Sequence, residues 1–197
     1  METYRRRVLS LTQGLQPPVV RLLVRLGVSP NHVTLLGLAL SLVAAALAGR
    51  GWFLAAGGVL AAGSALDLVD GMLARATGKA SARGALLDSL ADRLAEGAVL
   101  LGLLFYYATQ ESVLWWPPLL VGLALLNGFL VSYVRARAEG VGAPGKAGLM
   151  TRPERVLVLV AGLLTGWVPL ALGVIAALSL LTWVQRFLEA WRFLKGR

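Results

Sequence analysis

A chain of 197 residues that is 57% hydrophobic and only 15% charged, with a mean hydropathy of +0.73, is too apolar for an ordinary soluble domain. The net charge of +9 would suit nucleic acid, but Lys and Arg gathered between apolar segments mark the cytoplasmic side of a membrane protein, so no nucleic-acid partner is expected. The lack of cysteine excludes disulfides and thiol chemistry.

Residues 1–27 come first, in two pieces broken by Pro17-Pro18. Arg5, Arg6, Arg7, Arg21 and Arg25 alternate with Leu and Val, which predicts an amphipathic segment lying in the membrane interface. Met1 to Arg7 lack the apolar core and small-residue cleavage site of a signal peptide. Ser29-Pro30-Asn31 then supply a cap and a proline suited to a helix start. Six spans are predicted over residues 28–197, at about 31–49, 52–77, 81–108, 114–138, 153–167 and 169–194. Arg50-Gly51 make a tight turn between the first two. A soluble bundle would need polar faces at helical spacing, and most of these segments have none.

The basic residues orient the spans. Arg75, Lys79 and Arg83 join the second to the third, and Arg135, Arg137, Lys146, Arg152 and Arg155 surround the fourth-to-fifth connection. Arg186, Arg192, Lys195 and Arg197 close the chain, whereas Thr109 to Trp116 and Gly166 to Pro169 hold no Lys or Arg. Both termini are therefore expected on the cytoplasmic side of the cell membrane, with Trp115, Trp116 and Trp167 in the outer aromatic belt.

Carboxylates inside spans are costly and point to function. Asp67 and Asp70 are three residues apart at the end of the second span, with Gly71 and Ala74 continuing their face. Asp88 and Asp92 are four apart at the start of the third, one turn after Gly84. A short connection makes the two helices antiparallel neighbours, so four carboxylates can meet near the cytoplasmic end. Like charges so placed need compensation, and a hard divalent cation provides it through carboxylate oxygens. With no cysteine and His32 the only histidine, a soft-ligand zinc site is not expected. Arg75 and Arg83 add positive charge for phosphate oxygens. Helix capping and interfacial ion pairs would account for one such aspartate, and an ion pathway for several. Against a pathway, the acidic residues gather at one end of the bundle.

These residues fit the pattern Asp-x2-Asp-Gly-x2-Ala-Arg-x8-Gly-x3-Asp-x3-Asp at Asp67, Asp70, Gly71, Ala74, Arg75, Gly84, Asp88 and Asp92. The pattern resembles the signature of the CDP-alcohol phosphotransferases (CDP-alcohol phosphatidyltransferases). The resemblance implies a metal-dependent transferase of phospholipid biosynthesis, with six transmembrane helices behind an N-terminal amphipathic helix. It implies that Asp67, Asp70, Asp88 and Asp92 lie at the metals, two divalent cations that are Mg²⁺ or alternatively Mn²⁺, with Asp92 as general base. CDP would be held by Asp67, Asp70, Gly71, Ala74, Arg75, Gly84 and Asp88. Pro30, Asn31 and Thr34 resemble a Pro-Asn-x-x-Thr stretch that borders the nucleotide in relatives, although capping explains them as well. A homodimer is also implied; Gly97, Gly102, Gly122 and Gly128 could serve it, or could serve packing within one protomer.

The signature leaves the acceptor alcohol open. Ser132-Tyr133-Val134-Arg135-Ala136-Arg137, Arg152-Pro153-Glu154-Arg155 and Thr182-Trp183-Val184-Gln185-Arg186 bring basic residues from three helices to the carboxylate side. These stretches are similar to the subfamily that transfers the phosphatidyl group of CDP-diacylglycerol to an inositol phosphate, releasing CMP. That likeness implies an acceptor-phosphate site of Ser132, Arg135, Arg155 and Arg186, with Arg137 and Arg152 nearby. Glycerol 3-phosphate is the rival acceptor, and a metal-ion transporter is the rival class for the carboxylates.

Overall fold

The structure is a computed structural model that describes residues 18–110, 114–145 and 147–196. Most of the predicted amphipathic segment, including Arg5, Arg6, Arg7 and Pro17, lies outside the described residues, as do Lys146 and Arg197. Among the described residues there are seven helices and no strand. They are α1 (Pro18–Arg25), α2 (Pro30–Gly49), α3 (Phe53–Ala76), α4 (Ala82–Ala108), α5 (Trp116–Gly140), α6 (Arg152–Thr165) and α7 (Val168–Lys195).

The helix ends follow from local chemistry. Pro30, Pro117, Pro153 and Pro169 each stand in a first turn, where the missing N–H costs nothing. Ser81 caps α4, its hydroxyl accepting from the Gly84 N–H at 3.1 Å. Ser29 occupies the cap position of α2 in extended backbone, but its side chain makes no capping bond, so the proline alone starts that helix. Gly51, at φ 78°, supplies the expected turn after Arg50.

α2 packs against both α3 and α4, α5 against α4 and α7, and α6 against α3 and α7. The core is small and aliphatic, built around Ala44, Ala48, Leu60, Val99, Leu103, Val121, Leu163 and Leu172. Asn127 ties α5 to α7, donating to the Ala176 carbonyl at 3.1 Å and accepting from the Trp183 indole at 3.0 Å. The glycines divide by role. Gly102 abuts the Ala45 backbone of α2, Gly97 faces Leu125, and Gly128 faces Glu96 and Arg155, so these three serve packing within the protomer. Gly122 faces open space.

Among the described residues, four helices, α2, α3, α5 and α7, are long and apolar enough to cross a membrane. Their outward surfaces are greasy: Leu35, Leu36, Leu42 and Val43 on α2 are all exposed, as are Leu119, Leu126 and Phe129 on α5. Hydrocarbon, not water, matches such faces. α4 is as long, at 27 residues, but Arg83, Asp88, Asp92, Arg93 and Glu96 load its first half with charge. α6 has 14 residues, about 21 Å at 1.5 Å per residue.

Candidate active site

The short Thr77–Ser81 connection joins α3 to α4, but the two helices do not pack along each other as the sequence suggested: each packs against α2, which holds them with their Thr77–Ser81 ends at the same end of the bundle. Two cavities adjoin there, sharing Ala85 and Asp88 as a common wall.

The first cavity, about 200 Å³, lies between α2, α3 and α4. Its walls include Pro30, Asn31 and Thr34 from α2, Asp70, Gly71, Ala74 and Arg75 from α3, and Gly84 and Asp88 from α4. Every residue expected at the nucleotide is therefore here except Asp67. Lys79, on the connection, adds a second cation beside Arg75. Asp70 is buried, and the Thr34 hydroxyl donates to its Oδ2 at 2.5 Å. That bond fixes the carboxylate from α2 and gives Thr34 a job beyond helix capping. A close helix crossing serves the same end: a Cβ at Gly37 would lie 2.7 Å from Asp67 Oδ1 and 3.2 Å from the Gly63 carbonyl. A side chain at this position would push the Asp67 carboxylate from its place against α2.

The second cavity, about 570 Å³, lies between α4, α5, α6 and α7. Asp88, Asp92 and Arg93 line it from α4, and Arg152 and Arg155 from α6. α5 contributes Ser132, Arg135, Ala136 and Glu139, a single helical face at i, i+3, i+4 and i+7. Arg137 falls off that face and is exposed, which keeps it out of the cavity lining. Arg186 reaches in from α7. Its Nε donates to the Ala147 carbonyl at 2.6 Å and its NH1 to the Val131 carbonyl at 2.8 Å, pinning the α5–α6 loop. Thr182 holds the same loop by accepting from the Met150 N–H at 3.0 Å.

The charges are paired unevenly. Arg152 spans two carboxylates, with NH2 2.6 Å from Asp67 Oδ2 and NH1 2.6 Å from Asp92 Oδ1. Arg155, only 1% exposed, binds the Glu96 carboxylate with Nε at 2.5 Å and NH2 at 2.8 Å. Arg93 reaches the same Glu96 at 3.2 Å, and Arg135 pairs with Glu139 at 2.9 Å. Arg186 is 3% exposed and, among the described residues, bonds only to neutral carbonyls.

Four aspartates on two successive helices offer hard oxygen donors, the chemistry of a Mg²⁺ or Mn²⁺ site. Among the described residues no three carboxylate or imidazole groups converge on one point, because the Arg152 guanidinium stands between Asp67 and Asp92. That guanidinium marks the place where the fold stabilises positive charge, and the donor set fits a divalent cation there.

Glu96 and Arg93 were not singled out from sequence. The signal was present, since Gly84, Asp88, Asp92 and Glu96 continue one i+4 row along α4.

The chain matches the family model of the CDP-alcohol phosphatidyltransferases over residues 27–191. It belongs to that family. This phosphatidyltransferase is 34% identical over 190 residues to the archaetidylinositol phosphate synthase of Methanothermobacter thermautotrophicus, covering 90% of this chain and 93% of that one. It is likewise 34% identical over 186 residues to the phosphatidylinositol phosphate synthase of Mycobacterium tuberculosis, covering 88% and 84%. The crystal structure of the Mycobacterium tuberculosis synthase with CDP-DAG bound superposes with a TM-score of 0.81 at 31% identity, over 88% of this chain and 92% of that one. The same synthase in complex with manganese and citrate gives a TM-score of 0.80 at 31% identity, over 88% of each chain. The transferase thus shares its fold, and not only its signature, with phosphatidylinositol phosphate synthases.

Proposed function

We propose that this phosphatidyltransferase transfers the phosphatidyl group of CDP-diacylglycerol to an inositol phosphate, releasing CMP. The observation that carries the acceptor is Arg186: a guanidinium 3% exposed, lining the larger cavity and, among the described residues, bonded only to neutral carbonyls. A buried charge without a counter-ion is costly, and an acceptor phosphate provides one. Ser132, Arg135, Arg152 and Arg155 line the same cavity and complete the anion-binding surface. The names of the relatives, both inositol phosphate lipid synthases, support the same acceptor.

In this reading the smaller cavity holds the CDP portion. Arg75 and Lys79 meet its diphosphate, while Gly71, Ala74 and Gly84 leave room for the nucleotide. Thr34 holds Asp70, and Gly37 admits Asp67. Bound by Asp67, Asp70, Asp88 and Asp92, two divalent cations (Mg²⁺, replaceable by Mn²⁺) would neutralise the diphosphate and the charge growing on the departing CMP. Asp92 lines the acceptor cavity and takes the proton of the attacking hydroxyl. The hydroxyl oxygen bonds to the phosphatidyl phosphorus, the bond from that phosphorus to the bridging oxygen breaks, and CMP leaves with the electron pair. Asp88, on the wall common to both cavities, lies where the two substrates meet.

An acceptor screen tests the assignment. Purified protein with CDP-diacylglycerol is offered inositol 1-phosphate, glycerol 3-phosphate, serine or free inositol, and CMP and lipid product are measured. Saturable product with inositol 1-phosphate is expected. Product with glycerol 3-phosphate alone would overturn the acceptor.

The topology is part of the proposal: residues 1–27 lie in the interface, and 28–197 form six spans with both termini and the active site cytoplasmic. Leu86, Leu90, Leu94, Leu101 and Phe105 form an exposed apolar stripe down α4, which supports this charged helix as a span. Because the chain has no cysteine, single substitutions Ala82→Cys and Gln110→Cys should label from opposite sides of the membrane. A homodimer is proposed on the family resemblance, with Gly122 on α5 open to a neighbouring helix. Crosslinking in native membranes tests it.

A further inference from the structure

Glu96 stands one turn beyond Asp92 on α4, outside the signature. Its carboxylate does not line the larger cavity, yet it holds two guanidiniums that do, Arg93 from α4 and Arg155 from α6. A guanidinium carries five N–H donors. In Arg155, Nε and NH2 each donate to Glu96, and NH1 donates to the Met150 carbonyl at 3.3 Å. Two N–H groups remain without a partner among the described residues, one on each terminal nitrogen. The two-point contact with Glu96 fixes the plane of that group, and so fixes the directions of the two remaining N–H groups.

The surroundings are built to accept this pair. A Cβ at Gly128 of α5 would lie 3.3 Å from Glu96 Oε1 and 3.4 Å from Arg155 Nε, so any larger residue would crowd it. The Arg93 Nε is buried without a partner among the described residues. Two guanidiniums and one carboxylate leave a net charge of +1 behind the cavity wall, which keeps the trio attractive to an anion.

We propose that Glu96 is the positioning residue of the acceptor-phosphate site, orienting Arg155, and with it Arg93, toward the phosphate without touching substrate. The proposal rests on the reading of the larger cavity as the acceptor site.

Steady-state kinetics of Glu96→Gln, Arg155→Lys and the double variant test it, with acceptor and CDP-diacylglycerol varied separately. For Glu96→Gln the KM for the phosphorylated acceptor should rise about tenfold, far more than kcat falls, with the KM for CDP-diacylglycerol within twofold. In the double variant the rise should be well below the product of the two single effects, because Glu96 acts through Arg155. A fall in kcat at unchanged acceptor KM, an equal rise in the CDP-diacylglycerol KM, or multiplicative single effects would each overturn the proposal. Should Glu96→Gln not fold, Gly128→Ala keeps both charges while crowding the pair. It should raise the acceptor KM, and an unchanged KM would overturn the idea. If the parent uses glycerol 3-phosphate instead of inositol 1-phosphate, the acceptor reading fails while the Glu96 effect on glycerol 3-phosphate KM is still expected. If the parent prefers unphosphorylated inositol and Glu96→Gln leaves that preference intact, both fail.

Discussion

Replacing Arg152 by glutamine isolates the electrostatic problem at the centre of the site. In the parent, one guanidinium lies 2.6 Å from Asp67 and 2.6 Å from Asp92, with side-chain exposures of 17%, 14% and 16% for the three residues. Removing one partner of a buried ion pair costs about 3–5 kcal/mol, and the residual exposure here puts the loss near the lower figure, about 3 kcal/mol. For a chain of this size each kcal/mol moves the unfolding midpoint by about 2–4 °C, so Arg152→Gln in chelator should melt about 6–12 °C below the parent.

Divalent cation should then restore the variant more than it helps the parent. At about 100 times its dissociation constant a ligand stabilises by about 2.7 kcal/mol, close to the loss from the missing ion pair. In the parent the cation competes with Arg152 for Asp67 and Asp92, so its gain should be smaller. Thermal unfolding of both proteins in detergent, with EDTA and with Mn²⁺ or Mg²⁺, measures this directly. A deficit that cation leaves untouched, or no deficit in chelator, would refute the reasoning.

Asp92→Asn should lower kcat by about 10²–10⁴ while the protein still folds, measured as CMP release beside a melting curve. Full activity would remove Asp92 as the base. Thr34→Val deletes the hydroxyl that donates to the buried Asp70, so the KM for CDP-diacylglycerol should rise about tenfold at little cost in acceptor KM. Gly37→Ala would place a methyl group 2.7 Å from Asp67 Oδ1 and 3.2 Å from the Gly63 carbonyl, costing about 1–3 kcal/mol of stability and weakening metal binding. Denaturation in detergent and a Mn²⁺ titration check the two effects separately.

The helices were legible because hydropathy and proline report on local structure. The six predicted segments coincide with α2 to α7 to within about two residues at most ends. The carboxylates and the nucleotide-side residues were legible for a related reason. Asp67 and Asp70 share one helix, Asp88 and Asp92 the next, and a short connection keeps the ends of those helices together, although it is their common packing on α2 that places them. What composition could not supply was the polar half of α4. Its five charged residues take it outside the helices that qualify as spans by composition, although its outer face is as apolar as theirs.

Pairing between distant segments was the opaque part, and it changes the meaning of the arginines. Read along the chain, Arg152, Arg155 and Arg186 look alike: cations beside apolar runs, each calling for an anion. In the fold, Arg152 finds Asp67 across 85 positions and Arg155 finds Glu96 across 59. No periodicity within one helix encodes those meetings, because they depend on how α6, packed against α3 and α7, reaches the side chains of α4. Arg186 alone of the three has no ion pair among the described residues, bonding instead to the carbonyls of Ala147 and Val131. The three positions therefore have separable consequences. Loss of Arg152 should be felt in stability and in the response to divalent cation. Loss of Arg155 should be felt through the geometry that Glu96 imposes. Loss of Arg186 should fall on the acceptor phosphate most directly, since among the described residues no carboxylate forms an ion pair with it.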